Sequence, residues 1–276
     1  MKVLSAIVLS AGLIFMTASA IAQNVQDAPL DNAYEPITVE DKGIIPYDHI
    51  READVFWEKR IWRVIDVREK MNLVFKYPKQ YFVNILRDAA IEGTIAVYDG
   101  ADDEFTKRIA PGEVASLGVG TADTVMVWDP ETETETATVS AAIFDPEKVT
   151  KFRLKEVWIF DEETSTMVVR ILGIAPIMDV IDDQGNFRGE QPLFWVYYPE
   201  ARQLLAKYPV FNTGNDAQQN SWEDLMEMRF FSSYIIKERN VYDRRIQDYA
   251  AGIDALYESD RIKEQIMEFE HDLWSF

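Results

Sequence analysis

The stretch KFRLKEVWIFDEETSTMVVRILGIAPIMDVIDDQGNFRGEQPLFWVYY, residues 151–198, carries apolar and polar side chains at a period of two. That period is the signature of strands. Lys151–Phe160, Thr166–Val180 and Pro192–Tyr198 are separated by Asp161-Glu162-Glu163-Thr164-Ser165 and by Asp182-Asp183-Gln184-Gly185-Asn186. Short polar connections of this kind imply an antiparallel meander. Ile95–Tyr98 and Val125–Trp128 add shorter strands ahead of it, and Glu131–Thr136, a run of alternating Glu and Thr, reads as a solvated hairpin tip or loop.

Outward from the sheet, the periodicity changes. From Arg51 to Met71 the apolar residues Ala53, Trp57, Ile61, Val64, Val67 and Met71 recur at steps of three and four, which predicts a helix. Phe56 and Trp62 widen its stripe, and Arg60 and Arg63 lie beside them. Aromatic and arginine side chains together are what buried interfaces favour. Phe56, Arg60, Trp62 and Arg63 are therefore candidate partner-interface residues, although a thickly covered helix would give the same pattern. A second helix is expected from about Lys79 to Ile91, stopped by Gly93. After Tyr198, Pro199 opens a helix over Glu200–Lys207; Ser221 caps one running through Met228, and Phe230–Lys237 reads as a strand. Two C-terminal helices are expected over Asp243–Tyr257 and Asp260–Trp274. The fold class is α+β, with an antiparallel sheet flanked by an N-terminal helix pair and C-terminal helices.

The amino terminus has a different composition. Lys2, the apolar run Val3–Met16 and Ala20-Ile21-Ala22 have the layout of a signal peptide cleaved after Ala22. The run is shorter than the roughly 20 residues needed to span a bilayer, so no direct membrane span is expected. Residues 23–50 hold Pro29, Pro36 and Pro46 among polar side chains and read as an extended arm, either a loose tail or a strap across a neighbour. Ile44-Ile45-Pro46-Tyr47 is apolar enough for its last third to dock. Residues 51–276 are read as a single α+β domain.

Charge and composition restrict the function. The net charge of −20, which becomes −21 without residues 1–22, disfavours nucleic acid as a partner. There is no cysteine for a disulfide or a lipid anchor, and the two histidines, His49 and His271, are far apart in sequence. GxSxG, GxxxxGK[ST], HExxH and GxGxxG are all missing. The segment 182–186 does not match calcium-loop spacing and is expected to be a turn. No catalytic residue, cofactor or metal is expected. A carbohydrate-binding or hydrolytic protein is the alternative; it would set Trp57, Trp62, Trp158 or Trp195 in a groove beside paired carboxylates, whereas burial or a flat patch favours assembly.

Five aromatic-rich blocks carry a resemblance. Arg51–Asp66 (READVFWEKRIWRVID) continuing through Arg68-Glu69-Lys70-Met71-Asn72, Phe152–Trp158 (FRLKEVW), Leu193–Arg202 (LFWVYYPEAR), Phe231–Ile235 (FSSYI), and Asn240–Arg244 (NVYDR) with Glu270–Trp274 (EHDLW) are similar in order and position to the gliding motility protein GldN family, called PorN in non-gliding relatives. The resemblance spans nearly all of residues 45–276. It implies a non-catalytic structural subunit of the type IX secretion system of Bacteroidetes. It further implies a periplasmic, homo-oligomeric ring under the outer membrane with a GldK/PorK-like lipoprotein, touching the periplasmic region of a GldM/PorM-like protein.

Overall fold

A computed structural model of the chain describes residues 33, 43–119, 123–129, 134–140, 144–182, 184, 186–215, 217 and 220–273. The expected signal peptide, nearly all of the arm before residue 43, and residues 131–133 of the acidic run lie outside these. The elements in chain order are β1 (Val55–Asp66), α1 (Phe82–Glu92), β2 (Val97–Asp99), the short α2 (Pro111–Val114), β3 (Asp123–Asp129) and β4 (Thr134–Ser140). Then come β5 (Val149–Asp161), β6 (Thr166–Ile181), β7 (Phe187–Pro192), β8 (Phe194–Tyr197), α3 (Tyr198–Leu205), α4 (Trp222–Glu227), β9 (Tyr234–Glu238) and α5 (Ile253–Leu273).

The meander is present. β5 and β6 form a long antiparallel hairpin from Val149↔Met178 to Asp161↔Thr166. The far edge of β6 is shared, since β7 pairs with Ile177–Ile181 and β8 pairs with Gly173 and Ile174. Among the described residues the main sheet has seven antiparallel strands in the order β2-β8-β6-β5-β1-β9, with β7 beside β6. β3 and β4 make a separate two-stranded hairpin in which Thr134–Thr136 belong to β4. The α+β class holds.

The helix expected over Arg51–Met71 is instead strand β1, flanked by short 3₁₀ turns at Glu52–Asp54 and Lys70–Lys76. The N-terminal helix pair is thus one helix, α1, and its partner is a central strand. The reason is two-sided burial: from Ile61 to Ile65 every residue of β1 is buried, because β5 and β9 flank it and both faces are covered. Such strands lose clean alternation. Two interleaved apolar faces, Trp57/Ile61/Ile65 and Trp62/Val64, then mimic steps of three and four. The β-branched and aromatic content of the stretch favours the pleated alternative.

Other local signals worked. Gly93, at φ 76°, takes the left-handed position that ends α1. Pro199 sits in the first turn of α3, and Ser221 with Asp224 forms a reciprocal capping box on α4. The two C-terminal helices merge into the single α5, with only a 3₁₀ turn at Ile246–Asp248 before it. The break lies at Gly252, φ 61°, rather than near Asp260. Ser259 is kept in the helix, its hydroxyl accepting from the Ile235 N–H of β9 at 2.8 Å.

One face of the sheet meets the helices. Ile65, Phe152, Leu154 and Ile174 pack with Phe82 and Leu86 of α1, Ala201 and Leu205 of α3, and Trp222 of α4. Farther along the same face of β1, Ile61 packs with Ile235, Ile246 and, from α5, Ile262 and Ile266. The opposite face carries Trp62, Ala175 and Trp195, covered by Tyr98 and Phe105. Phe105 adopts φ 59° and seats its ring over Gly173, where a Cβ would stand 2.6 Å from the ring. At Gly100 a Cβ would stand 2.4 Å from the Pro192 carbonyl oxygen, so that backbone approach requires glycine.

Gly100→Ala is expected to lower stability by about 1–3 kcal/mol through overpacking against backbone. Gly112, with nothing within 4 Å of its Cβ position, is the control. Urea unfolding of the two variants checks this: Gly112→Ala should stay within about 0.5 kcal/mol of the parent chain.

Candidate partner interface

β1 distributes the four sequence-derived interface residues over different surroundings. Phe56 lies where the register against β5 shifts, is 59% exposed, and meets the edge of Phe160 at 6.2 Å between ring centres. Arg60 reaches solvent and pairs with Glu58 at 3.1 Å. Trp62 is 6% exposed, with the Lys237 and Lys155 ammonium groups over its ring at 4.5 and 5.6 Å. Arg63, also buried, donates from Nε to Ser233 Oγ at 2.9 Å and from its terminal nitrogen to the Ser233 carbonyl at 3.1 Å. Arg60 and Trp62 line one cleft of about 430 Å³ together with Phe105 and Lys155. Phe56 and Arg63 do not line it.

A second surface was not singled out from composition. Val241 is 98% and Tyr242 73% exposed, on the turn between β9 and α5. The Arg244 guanidinium stacks over Tyr242 at 4.5 Å and lies 5.6 Å from the Tyr249 ring, whose hydroxyl donates to Glu258 of α5 at 3.2 Å. Ile253, Leu256 and Tyr257 on the first turns of α5 are exposed as well. A tyrosine–arginine ladder ahead of exposed apolar groups matches interface composition better than ordinary surface. The signal was the NVYDR block, whose apolar pair stands in a polar turn.

The last part of the arm is docked. The Tyr47 ring lies between two guanidinium groups, Arg202 at 3.8 Å and Arg170 at 4.0 Å, and its hydroxyl donates to Glu227 at 2.5 Å. Tyr198 donates to the same carboxylate at 2.9 Å, and burial together with Glu227 pushes both phenols above their ordinary pKa. Arg202 is buried, holds Glu223 at 2.6 Å and donates to the Ile45 carbonyl at 2.8 Å. Breaking such a buried pair by removing one partner costs about 3–5 kcal/mol.

Trp57, Trp62, Trp158 and Trp195 do not share one exposed groove among the described residues. Trp195 is buried with Trp62. Trp57 stacks on Phe269 of α5 at 4.8 Å, and Trp158 donates to the buried Glu156 at 3.2 Å beneath Arg229. Asp182 accepts the backbone N–H groups of Gln184 and Asn186, the geometry of an Asx turn. Among the described residues no group of three or more His, Asp or Glu is placed to hold a metal ion, and no helix is long and apolar enough to cross a membrane.

Burial separates two of the four strand residues by their expected response. Trp62→Ala should cost roughly 3–5 kcal/mol and lower Tm sharply. Phe56→Ala, largely solvated, should melt close to the parent chain. Differential scanning calorimetry of both variants checks the contrast.

A search of curated proteins found no match. A family model does: the model of "Gliding motility associated protein GldN" matches residues 50–275, from just before the 3₁₀ turn that precedes β1 to beyond the end of α5. With that match over most of its length, the chain belongs to the gliding motility associated GldN family.

Proposed function

We propose that this chain is a non-catalytic structural subunit of the type IX protein secretion and gliding machinery. In this reading it is exported, loses residues 1–22, and sits in the periplasm against the outer membrane as part of a homo-oligomeric ring. A GldK/PorK-like lipoprotein is its membrane-bound partner, and the periplasmic region of a GldM/PorM-like protein is its second contact. The family match over residues 50–275 carries this reading. GldN proteins are gliding motility components and not a known enzyme family.

The chemistry of the surface supports it. Without cysteine the chain has no thiol to carry a lipid, and in this reading a partner holds it at the membrane. Exposed Phe56 and half-buried Arg60 on β1, the latter beside buried Trp62, supply candidate contact groups; the Tyr242–Arg244–Tyr249 ladder supplies another surface. Rigid aromatic anchors bind at low entropic cost.

Deletion should abolish export of type IX cargo while Sec-dependent export to the periplasm continues, read by immunoblots of medium and periplasm. Undiminished cargo in the medium would refute the assignment. In the parent strain the protein should sediment with outer membranes, and in a strain lacking the lipoprotein partner it should move to the soluble fraction.

A further inference from the structure

Arg153 lies in the middle of the sheet on β5, opposite Val64 of β1 and Ala175 of β6. Its Nε is buried without a hydrogen-bond partner. Arg245, an exposed residue at the start of the 3₁₀ turn before α5, lines the same two cavities as Arg153, one of about 150 Å³ and one of about 630 Å³. Neither guanidinium is in an ion pair among the described residues. A guanidinium presents a planar fork of donors and cannot shed its charge, so burying one without an acceptor is costly. Buried polar groups are normally satisfied; an exception needs a reason.

Charge counting around the cavities identifies what is missing. Lys151 is neutralised by Glu190, and Lys107 by Asp99 at 3.1 Å. Among the residues that line the two cavities this leaves two guanidinium groups against the carboxylate of Glu113, an excess of one positive charge within the lining, while Asp103 acts on Arg153 from outside it. Burial and then repulsion by Arg245 hold Arg153 below its ordinary pKa despite the attraction of Glu190 and Asp103. The larger cavity lies within the ~300–1,000 Å³ range of ligand clefts. Ile109, Leu117 and Leu193 give it apolar walls.

We infer that Arg153 and Arg245 form a carboxylate-binding site for one acidic side chain, flanked by apolar residues, of a partner protein. A single carboxylate closes the charge balance, and a dianionic phosphate overshoots it. Two guanidinium forks hold a carboxylate with short, charge-assisted hydrogen bonds. Apolar neighbours on the peptide then cover the walls. The site stands apart from the assembly reading, so its failure would leave the export experiment unaffected.

The test uses the purified mature protein, the peptide acetyl-Leu-Glu-Leu-amide, its Gln twin, and inorganic phosphate at matched ionic strength. The readout is the NMR signal of arginine Nε–H groups, with Arg153 assigned from the Arg153→Met variant. The Glu peptide should shift the Arg153 signal saturably, and the Gln peptide and phosphate should not. Arg245→Gln, a change at an exposed position, should weaken the Glu peptide at least about tenfold. Absence of a saturable shift, an equal response to the Gln peptide, stronger binding of phosphate, or unchanged affinity in Arg245→Gln would each overturn the site. A stability readout separates binding from packing: Arg153→Met removes an unmatched charge and should melt at or above the parent temperature. A fall of several degrees would make Arg153 a structural part of the sheet and overturn the inference.

Discussion

The pairing of β1 with β5 fixes nearly everything else. In this register Trp62 lies opposite Lys155, Ile65 opposite Phe152, and Arg63 opposite Leu154. A slip of one residue would move the whole β1 side-chain set to the other face. Ile61 and Ile65 would leave the helices and meet Phe105 and Trp195, while Trp62 would be driven into a space filled by α4 and α5. Because both faces of this strand are covered, neither exchange could be relieved by solvent. The helices, the 100–106 loop and the cavities all take their positions from that register.

The same strands carry buried charge. Glu156 is fully buried on β5, accepts from Arg229 at 2.8 Å and from the Trp158 ring N–H. Arg229 reaches it from a backbone in the left-handed region, φ 55°, directly after α4. Lys155, next along β5, is buried on the other face, where its ammonium donates to the Asp103 carbonyl and lies 5.2 Å from the Phe105 ring centre. Burial lowers its pKa, so its single firm acceptor matters. Each charge ties a loop to the sheet, 100–106 through Lys155 and 229–233 through Glu156 and Arg63, and leaving either group unmatched would be more costly than an apolar residue there.

Much of this was legible in the sequence wherever the signal was local. The 151–198 meander, Gly93, Pro199 and Ser221 each report a backbone requirement confined to a few residues, and each held. β1 failed because its neighbours β5 and β9 are supplied from about 90 and 170 residues away in the chain, and no local window contains the partners that bury both its faces. The merged α5 failed for a related reason: Ser259, at the junction of the two expected helices, is tied to a strand 24 residues earlier. Of the candidate interface, the aromatic–arginine composition was readable but its orientation was not. Strand geometry sends Trp62 and Arg63 to opposite faces, which a helical reading places side by side. The Arg153–Arg245 pair was invisible for the same reason, since its members meet only after β5 and the turn before α5 come together.

The hydroxyl of Ser259 on the Ile235 N–H has a bearing on how copies of this chain can join. β9 is the last strand on its side of the sheet, and such an edge is the usual template for adding a strand from another molecule. Here α5 occupies that position, and a foreign strand could bind only by peeling the helix and its Ile262 and Ile266 contacts away. Growth by sheet extension is therefore blocked on this side. A molecule that approaches this edge meets the side chains of α5 rather than a free strand.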